Sequence, residues 1–192
     1  MFDYFGVLVS VMFGLALTHM LRGVGHMIEL RREMRPYWVH LVWTLNVVVF
    51  VLAIWWGMYW WKGLQEWTAE WFFFIAGYAV AIFMWAYVLY PSELSAGVNF
   101  ETYFYANRRW FFGIGMVVFL MDIPETMRKG ALHLRAVPAV YPYVIAGFLV
   151  MGAIGFVTPN RRVHNVLCVA WLFLTLGYLF FSSLERIAAH FT

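Results

Sequence analysis

The clearest signal of the fold lies in residues 38–61, which read WVHLVWTLNVVVFVLAIWWGMYWW. These 24 residues contain no Asp, Glu, Lys or Arg. About 20 mainly apolar residues are enough for an α-helix to cross the hydrocarbon core of a bilayer. The stretch therefore predicts a transmembrane helix, and comparable stretches recur along the chain.

The composition of the whole chain agrees with a lipid environment. Of its 192 residues, 64% are hydrophobic and only 12% are charged, and the mean hydropathy is +0.74. Soluble domains are roughly 45–50% apolar and about 25% charged. So few charges cannot cover a soluble globule of this size, which excludes a soluble enzyme, a nucleic-acid-binding domain and a disordered protein. We expect the lipid bilayer to be the main partner of the chain and nucleic acid not to be one.

The sequence predicts six spanning helices. Asn99 is a suitable N-cap, and Glu101 in the first turn supports a helix that begins at residue 100. We therefore expect an all-α, polytopic membrane helical bundle that forms a single integral membrane domain over residues 1–192. Its predicted spans are residues 4–21, 38–61, 71–90, 100–121, 136–157 and 163–183.

Basic residues predict the orientation of these helices. With both termini outside, eight basic residues fall on the inner side and five on the outer side, so the positive-inside rule favours an N-out, C-out topology. Tryptophan and tyrosine residues also cluster near both expected interfaces, as in aromatic belts. The eight inner residues are Arg22, Arg31, Arg32, Arg35, Arg108, Arg109, Arg161 and Arg162.

The first predicted helix carries a ridge of small residues at every fourth position. The ridge consists of Gly6, Ser10, Gly14 and Thr18. Small residues at this spacing let two helices approach closely within a membrane. We expect the ridge to face the interior of the bundle.

Polar residues continue this helix beyond the ridge. His19, Arg22 and His26 share one face of a helix with Glu29. Because a cation facing lipid is costly, this face predicts a polar vestibule at the inner side. The alternative is an ordinary packing ridge whose charged end reaches the inner interface.

A hairpin of the first two helices brings further polar residues to the same level. It places His40 near His26 and Asn46 near His19, and His164 begins the last helix on the same side. Neutral imidazoles bind metal ions and haem iron, so His26, His40 and His164 are candidate ligands of a metal ion or of haem b. The alternative is that they are amphipathic residues at the headgroup level.

Asp122 is the candidate residue at the other end of the bundle. Pro124 follows it and predicts that the helix ends at Ile123–Pro124, with Asp122 at the outer interface. If the fourth span lies deeper, Asp122 is within the membrane and can take part in ion or proton passage.

The sequence contains no nucleophile–base pair that would indicate catalysis, so a membrane enzyme ranks third, behind the two functions that follow. It predicts movement of a small solute or ion, with the vestibule residues and Asp122 along the path. The alternative is a non-catalytic membrane subunit, in a homo-oligomer or a larger membrane complex, that could hold haem between histidines.

Three strings resemble a loosely defined set of small, uncharacterised bacterial inner-membrane proteins. They are RPYWVHLVW from Arg35, IWWG from Ile54 and YFYANRRWFFG from Tyr103. The resemblance covers residues 8–120. It implies a multi-pass protein of the bacterial inner membrane and no particular activity.

Overall fold

The computed structural model describes residues 2–63, 67–93 and 97–188, and these form an all-α bundle. A 3₁₀ helix (Met58–Gly63) continues the second α-helix. The α-helices are α1 (Phe2–Glu29), α2 (Trp38–Gly57), α3 (Ala69–Tyr87), α4 (Phe100–Arg128), α5 (Ala131–Ala136), α6 (Tyr141–Val157) and α7 (Arg161–Ala188).

Five of the described helices are long and apolar enough to cross a membrane, and they indicate a multi-pass membrane protein. They are α1, α2 with its 3₁₀ extension, α3, α4 and α7. The sixth candidate, α6, has 17 residues and rises about 26 Å, somewhat less than a hydrocarbon core of about 30 Å. It is shorter than the predicted span because α5 ends at Ala136 and α6 starts only at Tyr141.

Large apolar side chains cover the outside of the bundle. Phe73, Trp110 and Phe173 are each about 70% exposed (71%, 69% and 72%). A monomeric soluble protein rarely exposes so much contiguous apolar surface, whereas lipid solvates it without cost. The aromatic belt expected from the sequence is only partly at the surface, because Trp61 is fully buried.

Long helices that follow one another in the chain alternate in direction, whereas α1 and α3, which pack side by side, run parallel. Phe5 of α1 packs against Trp67 just before α3, with ring centroids 5.1 Å apart, and defines what we call the N-terminal end. His19 stacks on Tyr87 at the end of α3 and defines the far end. Going round the bundle, the order is α1, α3, α4, α6, α7 and α2, and α2 also touches α3 and α4.

Asn99 caps α4 as predicted. Its Oδ1 accepts hydrogen bonds from the backbone N–H groups of Glu101 and Thr102, at 3.0 and 3.2 Å. The prediction that this helix ends at Pro124 is wrong, because α4 continues to Arg128. A proline removes one helical hydrogen bond, and the turn beyond it is held instead by buried contacts of Glu125, which are described below.

The interior of the bundle is built from aromatic rings. Trp43, Trp85 and Trp171 are buried and contact one another, Phe111 and Phe119 at centroid distances of 5.2–6.3 Å. Glycines allow the helices around them to approach: a Cβ atom on Gly155 of α6 would lie 2.5 Å from the ring of Phe112 on α4.

The prediction that the small-residue ridge of α1 faces the interior is wrong. Gly14 and Thr18 are exposed, and a Cβ atom on Gly6 or Gly14 would have no neighbouring atom within 4 Å among the described residues. The larger apolar residues take the buried side of α1, because they fill the space against α2 and α3 that small residues would leave empty. They are Phe5, Val9, Phe13, Ala16 and Met20.

Candidate functional site

The far end of the bundle carries a small polar cleft between α1 and the chain that follows α3. His19, Arg22 and His26 line this cleft with Tyr90 and Glu93, and its volume is about 230 Å³. It is therefore the place where the structure brings together the first three residues of the predicted vestibule.

Hydrogen bonds fix the side chains of this cleft. The Nε2–H of His19 donates to the carbonyl of Tyr87 at 3.1 Å. Arg22 Nε donates to His26 Nε2 at 3.4 Å, and His26 Nδ1 lies 3.0 Å from Glu29 Oε2. Arg22 is exposed and His26 half-buried, so the cleft is open to its surroundings.

His40 lies outside the cleft, in the interior of the bundle. It is fully buried, and its Nε2–H donates to the carbonyl of Leu89 at 2.6 Å. The ring of Tyr90 packs 4.8 Å from His40 and 6.2 Å from His19. Tyr90 therefore stands between His40 and the cleft.

Asn46 and His164 also lie apart from the cleft. Asn46 Nδ2 donates to the carbonyl of Cys168 at 2.9 Å and ties α2 to α7. His164 is fully buried among the rings of Phe104, Tyr105 and Phe112, and its Nε2–H donates to the carbonyl of Thr158 at 2.8 Å. Both side chains connect helices inside the bundle.

The candidate metal ligands do not converge. His26 faces the cleft, whereas His40 and His164 are enclosed in separate aromatic surroundings. Within the described ranges 2–63, 67–93 and 97–188, no group of three His, Cys, Asp or Glu side chains could hold a metal ion.

Asp122 is buried within the bundle. It is 7% exposed and lies on the face of α4 that meets α3 and α6. Tyr78 donates its hydroxyl to Oδ1 at 3.0 Å, and Tyr141 donates its hydroxyl to Oδ2 at 2.7 Å. Both carboxyl oxygens therefore accept hydrogen bonds from tyrosine hydroxyl groups.

A buried ion pair follows Asp122 on the same helix. Lys129 Nζ lies 2.8 Å from Glu125 Oε1, and the two side chains are 5% and 1% exposed. The indole N–H of Trp61 also donates to Glu125 Oε1, at 2.9 Å. We call Asp122, Glu125 and Lys129 the α4 charge cluster.

A cavity of about 500 Å³ opens beside the α4 charge cluster, towards the N-terminal end. Cavities of this size accommodate small molecules, and they usually have apolar walls with a few polar groups. Helices α2, α4, α6 and α7 supply most of the wall. Its polar lining includes Asp122, Thr126, Lys129, Tyr141, Thr175 and Ser182.

Sequence reasoning missed Glu125 and Lys129. The spacing of Asp122, Glu125 and Lys129, i, i+3 and i+7, places all three on one face of a continuous helix. That signal was present, but ending the helix at Pro124 put the two later residues in a loop. The site was missed because the proline was taken to end the helix.

A layer of rings separates the cleft from the cavity. Trp43, Trp85, Phe111 and Trp171 are at most 2% exposed and lie between Tyr90 at the far end and Phe119 beside the cavity. The two polar recesses therefore do not communicate through this layer in the described part of the chain.

Comparisons of the chain with family models, with curated proteins and with solved structures find no match.

Proposed function

We propose that this protein is a carrier that binds a small solute in the cavity beside the α4 charge cluster and moves it across a membrane. The proposal includes six spans in one domain, both termini outside, and a bacterial inner membrane. The excess of basic residues at the far end supports this orientation through the positive-inside rule.

The observation that carries the proposal is a chamber with charged groups in its wall, inside a bundle of apolar helices. Ionisable residues within membrane spans are costly, and they typically mark substrate or ion pathways. Asp122 and Lys129 both line the cavity while the rest of the wall is mainly apolar. A purely structural bundle gains nothing from charged groups in the wall of such a chamber, because an apolar core is cheaper to form.

The closed aromatic layer favours a carrier over an open channel. Passage from the cavity to the cleft requires the rings of Trp43, Trp85 and Trp171 to separate. A carrier opens its two sides in turn around a central barrier. The cleft with His19, Arg22 and His26 would then serve as the inner exit.

Tracer uptake into proteoliposomes tests this function. Three radiolabelled probes cover the three charge types: choline, mannitol and succinate. Ala53 lines the cavity, so Ala53→Trp should fill it and abolish uptake. Ala170 is exposed on α7, so Ala170→Trp adds the same bulk outside and should leave uptake unchanged.

The carrier proposal is supported if the parent takes up at least one probe, Ala53→Trp abolishes this uptake and Ala170→Trp preserves it. Equal, background uptake of all three probes in parent and variants overturns it and favours the alternative, a non-catalytic subunit of a membrane complex. A visible absorption spectrum of the purified protein then tests whether this subunit binds haem, since a Soret band requires a bound porphyrin.

A further inference from the structure

We infer that the solute is a small organic monocation with an apolar body, held in the cavity against the carboxylate of Asp122. This inference rests on the proposed function, because it names the class of solute that the same cavity would carry.

The first argument is the charge of the α4 charge cluster. Asp122 and Glu125 supply two carboxylates, and Lys129 supplies one ammonium group. Lys129 is paired with Glu125 at 2.8 Å, so its charge is offset within the cluster. Asp122 is held by two neutral hydroxyl groups, from Tyr78 and Tyr141. One negative charge therefore remains at the wall of the cavity.

The adjacent basic side chain on α4 points away from this charge. Arg128, the neighbour of Lys129, lies over the ring of Trp71, 5.3 Å from its centroid, and turns towards α3. Glu125 Oε2 is buried and has no hydrogen-bond partner among the residues that the structure describes. The cavity therefore attracts a cation more strongly than an anion.

The second argument is that aromatic side chains line much of the cavity. Aromatic rings attract cations through their faces and also bury apolar groups, so they suit an organic cation better than a hydrated inorganic one. The aromatic lining consists of Phe50, Trp56, Phe119, Tyr141, Phe148 and Tyr178.

The test compares two molecules of the same shape. Phenyltrimethylammonium and tert-butylbenzene differ in the charge of one central atom, and benzenesulfonate and sodium chloride serve as the anionic and inorganic arms. Binding to the detergent-purified full chain is measured from ligand-induced thermal stabilisation, which grows with ligand concentration over Kd. The stabilisation that each ligand gives to Ala53→Trp, whose cavity is filled, measures non-specific effects such as partition into the detergent and is subtracted from that of the parent.

Variants of the cluster should change the affinity for phenyltrimethylammonium in opposite directions. Asp122→Asn and Glu125→Gln each remove one negative charge and should weaken binding by about tenfold or more. Lys129→Met removes the positive charge and should strengthen it. Because tert-butylbenzene is uncharged, its affinity should be the same in all folded variants. If one of the three variants fails to fold, the other two still test the predicted direction of the change.

Each outcome decides a different point. Tighter binding of phenyltrimethylammonium than of tert-butylbenzene, with the predicted signs in the variants, supports the inference. Tighter binding of tert-butylbenzene, benzenesulfonate or sodium overturns the inference and leaves the carrier proposal standing. No stabilisation of the parent by any of the four probes, together with background uptake of all three tracers, overturns both.

Discussion

Lys129→Met should destabilise the protein strongly. The lysine and Glu125 lie 2.8 Å apart and are almost completely buried, so removal of the ammonium group leaves a buried carboxylate without its counter-charge. Breaking such a pair costs about 3–5 kcal/mol. For a chain of this size, about 2–4 °C of melting temperature is lost per kcal/mol, so we expect a decrease of about 6–20 °C.

The assay is thermal unfolding of the purified protein in detergent. The double variant Glu125→Gln/Lys129→Met removes both charges and should recover most of the loss, because two buried neutral groups need no counter-charge. Lys62 is the other lysine in the sequence and is exposed, with its ammonium group over the ring of Tyr59, so Lys62→Met should lower the melting temperature far less than Lys129→Met does. A Lys129→Met variant that melts within about 2 °C of the parent would refute the reasoning, since it would mean that the pair is solvated.

Two further predictions concern the packing and the capping of the helices, and both are checked by the same melting experiment. Gly155→Ala should cost about 1–3 kcal/mol because the added methyl group would lie 2.5 Å from the ring of Phe112. Gly14→Ala has open space around it and should not lower the melting temperature. A Gly14→Ala variant that melts as low as Gly155→Ala would show that the ridge is packed. Asn99→Ala should cost about 1 kcal/mol because two N–H groups of α4 lose their acceptor, and an unchanged melting temperature would argue against the cap.

The sequence predicted the features that depend on local chemistry. The start of α4 follows from Asn99 and Glu101, and the structure has the helix begin at Phe100. The apolar stretches predicted the five helices that are long and apolar enough to cross a membrane, because hydrophobic length alone sets that requirement, whereas the helix at the fifth of the six predicted spans, α6, is shorter. The cleft residues His19, Arg22 and His26 also lie together, as their helical spacing predicts.

The inward face of α1 could not be predicted from periodicity. Two stripes with nearly the same spacing run along this helix, one of small residues from Gly6 and one of larger residues from Phe5. Helical period identifies both but not which of them meets α2 and α3. The stripe that begins at Phe5 is the buried one, because its side chains fill the space between the helices.

The course of α4 beyond Pro124 could not be predicted because it depends on partners distant in the sequence. Trp61 holds Glu125, and Tyr78 and Tyr141 hold Asp122. These contacts come from three other segments, which the local sequence around Pro124 does not reveal. For the same reason, His40 and His164 lie among aromatic rings that the hairpin argument could not place.

Cysteine accessibility tests the central claim, a water-filled cavity that opens at the N-terminal end. In a Cys168→Ala background, Thr175→Cys places a thiol on the cavity wall, and Phe173→Cys places one on the exposed, lipid-facing side of the same helix. A membrane-impermeant methanethiosulfonate reagent needs a hydrated thiolate. The account predicts that Thr175→Cys reacts from the outer side only and that Phe173→Cys does not react. A Thr175→Cys variant that folds but reacts from neither side, or no faster than Phe173→Cys, would contradict it.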